Sequence, residues 1–497
     1  MIVPVLWILV NFFSLSHSAD NIVLILADDL DIFLDGMTPL KNTLDLIGNQ
    51  GATFSNCFVA SPICCPNRAS ILTGRYQHNH LVVNNSISGG CNSIEWQKAQ
   101  EPNTFAAHLK RELQYETFYA GKYLNQYGHK STGGAGHVPA GWEQWAGLIG
   151  NSKYYNYSLS INGTKKDYGA DPTEYLTDVI SNMATDFINA RHTTDRPFLM
   201  VLAPPAPHAP FTPAIRHFDI YKGTKAKRTP NFNMPTQMDK HWLVERGPSP
   251  LPDDILPKLD EIYRRRWETL VAVDELVTNV YQSLKLQNLL NNTYVIFTSD
   301  NGYHVGQFSM PMDKRQPYET DVRVPLLIRG PGIATSKISA PVSSVDLFST
   351  ILEIAGIHRP SDGTSFLKKT LPKDRTVLIE YRGERSKDTP SSGCPSDSDP
   401  NVALCMKDMA CKCQDAANNT FSCIRRVSPR YNNIFCIFED DKQYVEAYNI
   451  TTDNYQMENI GYSMKRHHRY KFRKYLKKMS ICKNEECVLT NMENIDI

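Results

Sequence analysis

The sequence lacks three features that would point to particular classes of protein. Its 53 Lys and Arg residues nearly balance its 52 Asp and Glu residues, so no basic field or acidic tail indicates a nucleic-acid or other charged partner. Beyond the N-terminus, no apolar run is long enough to span a bilayer. No cysteine lies between Cys91 and Cys394, which confines any disulfides to the regions on either side.

The N-terminus indicates export from the cell. The apolar run MIVPVLWILVNFFSLSHSA ends in small residues, and we predict that residues 1–19 form a signal peptide. Because no Lys or Arg precedes the apolar run, as it usually does in a signal peptide, a short membrane anchor is the alternative. Six N-x-S/T sequons agree with a glycoprotein of the secretory pathway. The sequons lie at Asn84, Asn156, Asn162, Asn291, Asn418 and Asn449.

Apolar runs alternate with helical patterns, which predicts an α/β fold with a largely parallel sheet. The predicted strands are NIVLILA, PFLMVLA, TYVIFTS and RVPLLIR, and the predicted helices are NTFAAHLKREL, TEYLTDVISNMATDFINA, YRRRWETLVAVDELVTNVYQSLK and VDLFSTILEIAG. Because the carboxyl ends of parallel strands meet at one edge, where ligands bind, we expect the polar residues that follow them to converge. These residues are Asp28, Asp29, His208, Asp300 and Asn301.

The pattern changes near residue 370 to that of a small antiparallel sheet with a helix. We therefore predict a catalytic domain over residues 20–370 and a smaller domain over 371–497. Within the second, a Ser-, Asp- and Pro-rich segment at 385–400 predicts an exposed loop, and six cysteines from Cys394 to Cys436 are expected to cross-link it. The basic run MKRHHRYKFRKYLKK is interpreted as a solvated helix face rather than a nucleic-acid or heparin patch.

The stretch SPICCPNRASILTGRY contains two adjacent cysteines that need an explanation. Neighbouring cysteines bridge each other only with strain, and no second pair completes a metal site. From Cys64, the residues Cys64, Pro66 and Arg68 follow the pattern C-x-P-x-R, with LTGRY behind it. This resembles the signature of the sulfatase family, in which that cysteine is oxidised to Cα-formylglycine. Of the twelve cysteines, conversion leaves eleven, so at least one has no intramolecular partner, and Cys65 is the expected one.

The resemblance covers the whole chain, including YAGKYLNQYG, TSDNGYHVGQFSMPMDKRQPYE and VRVPLLIRGPGI. It implies an alkaline-phosphatase-like fold: a large mixed, mainly parallel sheet flanked by helices, followed by a small C-terminal antiparallel α+β domain. Within the family it is strongest to the branch that removes 6-O-sulfate from N-acetylglucosamine 6-sulfate in heparan and keratan sulfate. It implies a sulfated glycosaminoglycan substrate, one Ca²⁺ ion, and a formylglycine-generating enzyme as partner during secretion. The lysosome is the expected destination, secretion is the alternative, and a homodimer is one option.

The resemblance also implies roles for individual residues. Hard oxygen donors and position 64 would hold the ion, and these ligands are Asp28, Asp29, Cys64, Asp300 and Asn301. A hydrated aldehyde at position 64 would supply the nucleophile and release sulfate afterwards. The remaining catalytic candidates are Arg68 to orient it, Lys122 and Lys314 to bind sulfate oxygens, His208 to protonate the leaving sugar, and Asp300 as base. His304, Arg315 and Asn125 are candidates for substrate binding.

The sequence departs from the family pattern at one position, and several alternative functions are compatible with it. Leu124 stands where many sulfatases have a histidine, and the glucosamine-6-sulfatase branch lacks that histidine as well. The base for sulfate elimination is therefore unassigned. An extracellular heparan sulfate endosulfatase is the first alternative, although this chain lacks the long basic insertion of those enzymes. Another arylsulfatase-type enzyme is a further one. A non-catalytic glycan-binding protein would leave Cys64 unconverted, and a phosphatase or phosphodiesterase would carry Ser or Thr there.

Overall fold

The structure is a computed structural model that describes residues 19–193, 195–235, 239–367, 374–386, 393–395 and 399–488. The predicted signal peptide, apart from Ala19, lies outside the described residues. The predicted boundary at 370/371 and parts of the predicted loop at 385–400 also lie outside them. Among the described residues, no helix has both the length and the apolar character needed to cross a bilayer.

Strands and helices alternate along the first part of the chain and strands dominate the last part. The strands are β1 (Asn21–Ala27), β2 (Ala52–Phe58), β3 (Glu116–Gly121), β4 (Gln144–Leu148), β5 (Ser158–Ile161), β6 (Thr164–Asp167), β7 (Phe198–Ala203), β8 (Thr293–Ser299), β9 (His304–Val305), β10 (Met312–Asp313), β11 (Arg323–Arg329), β12 (Ser336–Ile338), β13 (Val342–Ser343), β14 (Arg375–Tyr381), β15 (Val402–Ala403), β16 (Asp415–Ala416), β17 (Phe421–Val427), β18 (Asn432–Phe438) and β19 (Val445–Asn449). The α-helices are α1 (Lys41–Thr43), α2 (Cys64–Thr73), α3 (Gln77–His80), α4 (Ile94–Ala99), α5 (Phe105–Leu113), α6 (Leu176–Asn189), α7 (Trp242–Glu245), α8 (Leu256–Leu286), α9 (Glu319–Val322), α10 (Asp346–Ile354) and α11 (Arg466–Met479). The four helices predicted from the sequence are confirmed as α5, α6, α8 and α10.

The large sheet has the order β12-β2-β11-β8-β1-β7-β3-β4-β5-β6. Its centre, from β8 to β4, is parallel, as predicted. The fourth predicted strand, β11, differs, because it runs antiparallel to both β8 and β2. The chain leaves β8 at the carboxyl edge, forms the β9–β10 ribbon there, and enters β11 from the same edge. Without a helix to carry it back across the sheet, it can return only in the opposite direction.

Both faces of the central strands are buried, which explains why they are apolar throughout rather than alternating. In β1, Ile22, Leu24 and Leu26 pack on one side with residues of α2, α5 and α10. Val23 and Ile25 pack on the other side with residues of α6 and α8. Helices thus cover both faces, and the sheet edges are the places where polar groups can meet a ligand.

The C-terminal part is built on a four-stranded antiparallel sheet with the order β14-β17-β18-β19. Three disulfides confirm that the cysteines from Cys394 to Cys436 cross-link this part, and a fourth follows α11. The pairs are Cys394–Cys411, Cys405–Cys413, Cys423–Cys436 and Cys482–Cys487.

The prediction that Cys65 has no partner is wrong. Cys65 forms a disulfide with Cys91, and the free cysteines among the described residues are Cys57 and Cys64, both buried. Cys64 and Cys65 are consecutive residues in the first turn of α2, so their side chains point about 100° apart around the helix axis. One therefore faces the sheet edge while the other faces the segment that carries Cys91.

Candidate active site

Four adjacent parallel strands, β8, β1, β7 and β3, end at one edge of the sheet. β1 and β8 end level, because Ala27 pairs with Ser299, and an aspartate follows each of them directly. Lys122 follows β3, and His208 lies in the segment after β7. The convergence expected from the sequence is therefore present in the fold.

The Asp28 carboxylate lies at the centre of this edge and is completely buried. The Lys122 ammonium donates to both of its oxygens at 2.9 and 2.8 Å. The Ser152 hydroxyl donates to Oδ2 at 2.5 Å. Ser152 lies in an irregular segment with no helix or strand pattern, so the sequence gives no signal for this contact beyond the family-like stretch NSKYYNY.

The Asp29 carboxylate is held in a similar way by the second lysine. Lys314 donates to its two oxygens at 2.8 and 2.7 Å, and the Asn301 amide donates to Oδ1 at 2.7 Å. His208 Nε2 lies 3.8 Å from Oδ2. Asp29 has a φ of 70°, in the left-handed region that aspartate adopts more readily than most residues.

Asp300 and Arg68 form the third buried pair. Arg68 Nε lies 2.7 Å from Asp300 Oδ2, and its Nη1 donates to the Lys122 carbonyl at 2.6 Å. The Asp300 Oδ1 atom accepts from the Asp29 backbone N–H at 3.0 Å. Arg68 thus connects the strand ends to α2, the helix that begins at Cys64.

Cys64 is the first residue of α2, and its side chain points at the two aspartates. Its Sγ atom lies 3.7 Å from Asp28 Oδ1 and 3.8 Å from Asp29 Oδ1. Ligand atoms of Asp28, Asp29, Cys64 and His208 all lie within 4.8 Å of one another. The same region includes Asp300 and Asn301 through the contacts given above, so every residue predicted to bind the ion is in one cluster.

The charges in this cluster shift the titration of its members. Burial acts to raise the pKa of Asp28, but Lys122, His208 and Arg68 outweigh it and hold that pKa well below its usual range. Burial raises the pKa of Asp300 to about 6, although Arg68 opposes the shift. Burial also raises the pKa of the Cys64 thiol to about 12, despite Lys122 and Lys314. An unmodified Cys64 is therefore a neutral thiol at physiological pH, a poor nucleophile.

The residues fit a hard divalent cation. Three carboxylates and one amide supply oxygen donors, the set that Ca²⁺ and Mg²⁺ prefer. The Oδ1 atom of Asn301 is buried and has no hydrogen-bond donor among the described residues, so it can accept a cation as a ligand.

The cluster opens into a cavity of about 410 Å³. Its walls combine the cluster residues with polar side chains from segments that have no helix or strand pattern. The C-terminal part contributes three residues to this cavity, which the sequence did not predict. The lining includes Asp29, His208 and Lys314 from the cluster, Asn85, Asn125 and Asn151 from the loops, and Glu384, Leu404 and Met406 from the C-terminal part.

Comparison with known proteins identifies the family. A family model described as sulfatase matches residues 20–357. Human N-acetylglucosamine-6-sulfatase is 48% identical over 451 residues, which cover 89% of this chain and 81% of the human protein. The chain belongs to the sulfatase family. Its reaction is hydrolysis of a sulfate ester, and the residues around Cys64 form the candidate active site of a sulfatase.

Other sulfatases and one solved structure extend the comparison. The extracellular sulfatase SULF-1 homolog of Drosophila melanogaster is 38% identical over 379 residues, which cover 73% of this chain and 33% of that protein. A solved protein in complex with its substrate D-glucosamine-2-N,6-O-disulfate has a TM-score of 0.70 at 22% identity, over 93% of this chain and 97% of that one. At this identity the likeness concerns the fold alone. The alkaline-phosphatase-like architecture implied by the resemblance is confirmed.

The three candidate substrate-binding residues of this sulfatase lie in different places. Asn125 lines the cavity, with its amide donating to Asn151 Oδ1 at 3.2 Å. Arg315 also lines it and donates to Tyr381 and to the Glu384 carboxylate. His304 is buried away from the cavity lining, with Nδ1 3.0 Å from both oxygens of Asp321.

The predicted sequons differ in exposure. The asparagines at 156, 162 and 291 are exposed and those at 418 and 449 are partly buried. Asn84 is only 8% exposed, and its Oδ1 accepts hydrogen bonds from the Ser86 backbone and hydroxyl. The folded structure thus leaves Asn84 the least accessible of the six.

Proposed function

We propose that this sulfatase removes 6-O-sulfate from N-acetylglucosamine 6-sulfate units of glycosaminoglycans such as heparan and keratan sulfate. One observation carries the proposal: Cys64 lies against the two strand-end aspartates in a chain that is 48% identical to human N-acetylglucosamine-6-sulfatase. The adjoining cavity of about 410 Å³, which Asp29, His208 and Lys314 of the cluster line, falls within the usual range for a small-molecule site.

Sulfatases in general depend on formylglycine and a metal ion, and the proposal assigns both to this cluster. Asp28, Asp29, Asp300 and Asn301 would hold one Ca²⁺, and a formylglycine-generating enzyme would convert Cys64 during secretion. When bound, the ion offsets the charge of the sulfate, and the converted residue 64 supplies the nucleophilic hydroxyl. The Cys64 Sγ atom marks where that hydroxyl would lie.

The chain's other residues bind the sulfate and move protons. Lys122 and Lys314 place two ammonium groups beside the aspartates, where they can donate to sulfate oxygens. Arg68 orients α2 through its contacts with Asp300 and with the Lys122 carbonyl. A Coulombic cluster of this kind stabilises charge that develops on the sulfate in the transition state.

His208 is the candidate for protonating the leaving sugar oxygen, because it lines the cavity and its Nδ1 is bound to the Ala209 carbonyl at 2.6 Å. It would do so as an imidazolium, which passes the Nε2 proton to the sugar oxygen and becomes the neutral ring. With Nδ1–H donating there, Nε2 faces Asp29 and the cavity. Leu124, which replaces the histidine of many sulfatases, is buried and has no proton to exchange. Asn125 and Arg315 are proposed to bind the sugar. His304, which does not line the cavity, is proposed to affect sugar binding indirectly, through its contact with Asp321.

The test is sulfate release by the protein secreted from cells that contain the converting enzyme. We expect release from N-acetylglucosamine 6-sulfate and none from Cys64→Ala. Mass spectrometry of the peptide that contains residues 61–68 should find an aldehyde in place of the thiol in active protein. An active protein with a purely unmodified Cys64 would refute the mechanism.

The second candidate is an endosulfatase, favoured by the 38% identity to the Drosophila extracellular sulfatase. That enzyme class would act on internal residues of long chains. Sulfate release from a non-terminal N-acetylglucosamine 6-sulfate, with none from the monosaccharide, would favour the endosulfatase.

Cell fractionation of tagged protein tests the proposed lysosomal destination against secretion.

A further inference from the structure

Helix α11 concentrates positive charge that the sequence as a whole does not have. Eight of the 53 Lys and Arg residues lie between Lys465 and Lys478, and no acidic residue lies between Glu458 and Glu485. The remaining 45 basic residues are outnumbered by the 52 acidic ones, so the rest of the chain is net negative. The charge is therefore a local feature of this helix.

The helix buries one side and exposes its charges on the other. Phe472, Leu476 and Met479 are buried against residues of the C-terminal sheet, including Ile424 and Phe435. The opposite side is exposed, and we call it the basic face of α11. It consists of Arg466, Lys471, Lys474, Lys477 and Lys478.

Most of the basic face has no acidic partner within the described part of the chain. Some exposed cations, such as Arg216 and Arg228, pair with carboxylates, but Arg466, Lys474, Lys477 and Lys478 make no ion pair there. Several of the eight cations are three or four residues apart, a spacing at which like charges destabilise a helix. Exposure to solvent alone does not explain so many neighbouring like charges, whereas an anionic ligand would offset the repulsion between them.

In place of the merely solvated helix face expected from the sequence, we propose that the basic face of α11 docks the sulfated polysaccharide chain whose end the active site hydrolyses. The inference rests on the proposed function for the identity of the polyanion. Sulfate groups recur along such a chain, and a row of lysines and arginines matches repeated anions better than it matches a single one. Tyr470 on the helix and Tyr462 just before it are 66% and 53% exposed, and their rings offer flat surfaces to sugar rings.

The segment that follows α11 contacts a groove whose lining residues neighbour those of the active-site cavity along the chain. Cys482, three residues after the helix, accepts a hydrogen bond through its carbonyl from His78. His78 lines a groove of about 760 Å³ together with the exposed Arg382. Asn85 and Glu384, which are joined by a hydrogen bond, line the active-site cavity next to this groove. The groove and the cavity are thus lined by neighbouring residues of the chain, Asn84 beside Asn85 and Arg385 beside Glu384.

The experiment neutralises three lysines of the basic face as Lys474→Gln, Lys477→Gln and Lys478→Gln. Glutamine keeps the helix propensity, and the buried side of α11 is unchanged. Binding to heparan sulfate and keratan sulfate chains is measured by salt elution from the immobilised polysaccharide. We expect about tenfold weaker binding and a less steep dependence on salt, because fewer counterions are released. The rate on N-acetylglucosamine 6-sulfate monosaccharide should not change, whereas kcat/KM on long chains should fall.

A matched control removes the same charge elsewhere, as Lys222→Gln, Lys285→Gln and Lys337→Gln, which are exposed on other elements. This control and the charge-retaining Lys→Arg triple variant at 474, 477 and 478 should bind like the parent. Equal elution of the parent and the glutamine triple variant would overturn the proposal. So would binding of the parent to double-stranded DNA or to phosphatidylserine vesicles as tightly as to the polysaccharide. Because binding is measured without turnover, failure of the proposed function would appear separately, as lack of monosaccharide hydrolysis.

Discussion

Lys122 and Asp28 form an ion pair with both side chains buried, at 1% and 0% exposure. Lys122 follows β3 and Asp28 follows β1, so the pair spans two strand ends that β7 separates. The contact serves two purposes in the folded protein. It compensates the charge of a buried carboxylate, and it holds an ammonium group where the sulfate is proposed to bind.

Lys122→Met should reduce both stability and activity. Removing one partner of a buried pair leaves an uncompensated charge, which costs about 3–5 kcal/mol in free energy of unfolding. Urea unfolding measures this loss. The double variant Lys122→Met/Asp28→Leu should regain part of this stability, because neither member of the pair is left buried without its partner, but it should not regain sulfate release. If the double variant is as unstable as the single one, the pair is not the source of the loss.

Removal of the proposed cation should inactivate the enzyme and lower its melting temperature. A ligand that binds only the folded state stabilises it in proportion to the logarithm of its concentration, so added Ca²⁺ should raise the melting temperature of chelator-treated protein. In Asn301→Ala the rise should be smaller, since one oxygen donor is missing. Asn279→Ala, on the distant helix α8, is the control and should respond like the parent. A rise of equal size in Asn301→Ala would remove Asn301 from the ligand set.

Glu384 should affect substrate binding although it lies in the C-terminal part. Its carboxylate accepts from Arg315 and from the Asn85 backbone N–H, and both residues line the cavity. Glu384→Gln weakens a charge-assisted contact and should raise KM by about tenfold with little change in kcat. Steady-state kinetics on N-acetylglucosamine 6-sulfate measure both constants. A fall in kcat at unchanged KM would contradict this role.

Cys57 should be the reactive cysteine of the unfolded, unreduced protein. It is buried at the interface of β2 with β11 and has no disulfide. Alkylation in denaturant without reductant, followed by peptide mass spectrometry, should label Cys57, and also any Cys64 that escaped conversion. Cys65 and Cys91 should stay unlabelled.

Cys91→Ala should remove the disulfide between Cys65 and Cys91, which closes a loop of 26 residues. We expect the loss to cost about 3 kcal/mol in free energy of unfolding.

The strand ends were predictable from the sequence because their signal is local. An apolar run followed by Asp28 or Asp300 identifies a buried strand and the polar group at its end, and parallel neighbours place those groups together. The partner of Cys65 was not predictable, because sequence spacing does not show which of Cys57, Cys65 and Cys91 come together in the fold. The reversed β11 depends on the route of the chain between strands. Glu384 enters the cavity only through docking of the C-terminal sheet, which no local pattern records.

His78 joins α3 to the C-terminal part through both of its ring nitrogens. Nδ1 lies 2.8 Å from Glu380 Oε2, and Nε2 lies 2.9 Å from the Cys482 carbonyl oxygen. The Glu380 carboxylate only accepts, so Nδ1 carries a proton. Nε2 also lies 3.1 Å from Nδ2 of the Asn79 amide, which can donate to it only when Nε2 is unprotonated, whereas the Cys482 carbonyl can accept from it only when Nε2 is protonated. Burial would lower the pKa of His78, but the hydrogen bond and charge of Glu380 outweigh it and raise that pKa.

Stability should therefore fall as pH rises through the titration of His78. A folded-state pKa above the unfolded value of about 6.5 gives a contribution that is complete below that pH and disappears as pH rises through the raised pKa. The free energy of urea unfolding, measured between about pH 5 and pH 8, should decrease more steeply in the parent than in His78→Gln. Glu380→Gln should flatten the curve in the same way, since it removes the charge that raises the pKa. His129→Gln, at an exposed loop histidine, should keep the parent's slope. Parallel curves for the parent and His78→Gln would show that the contact does not depend on the imidazolium.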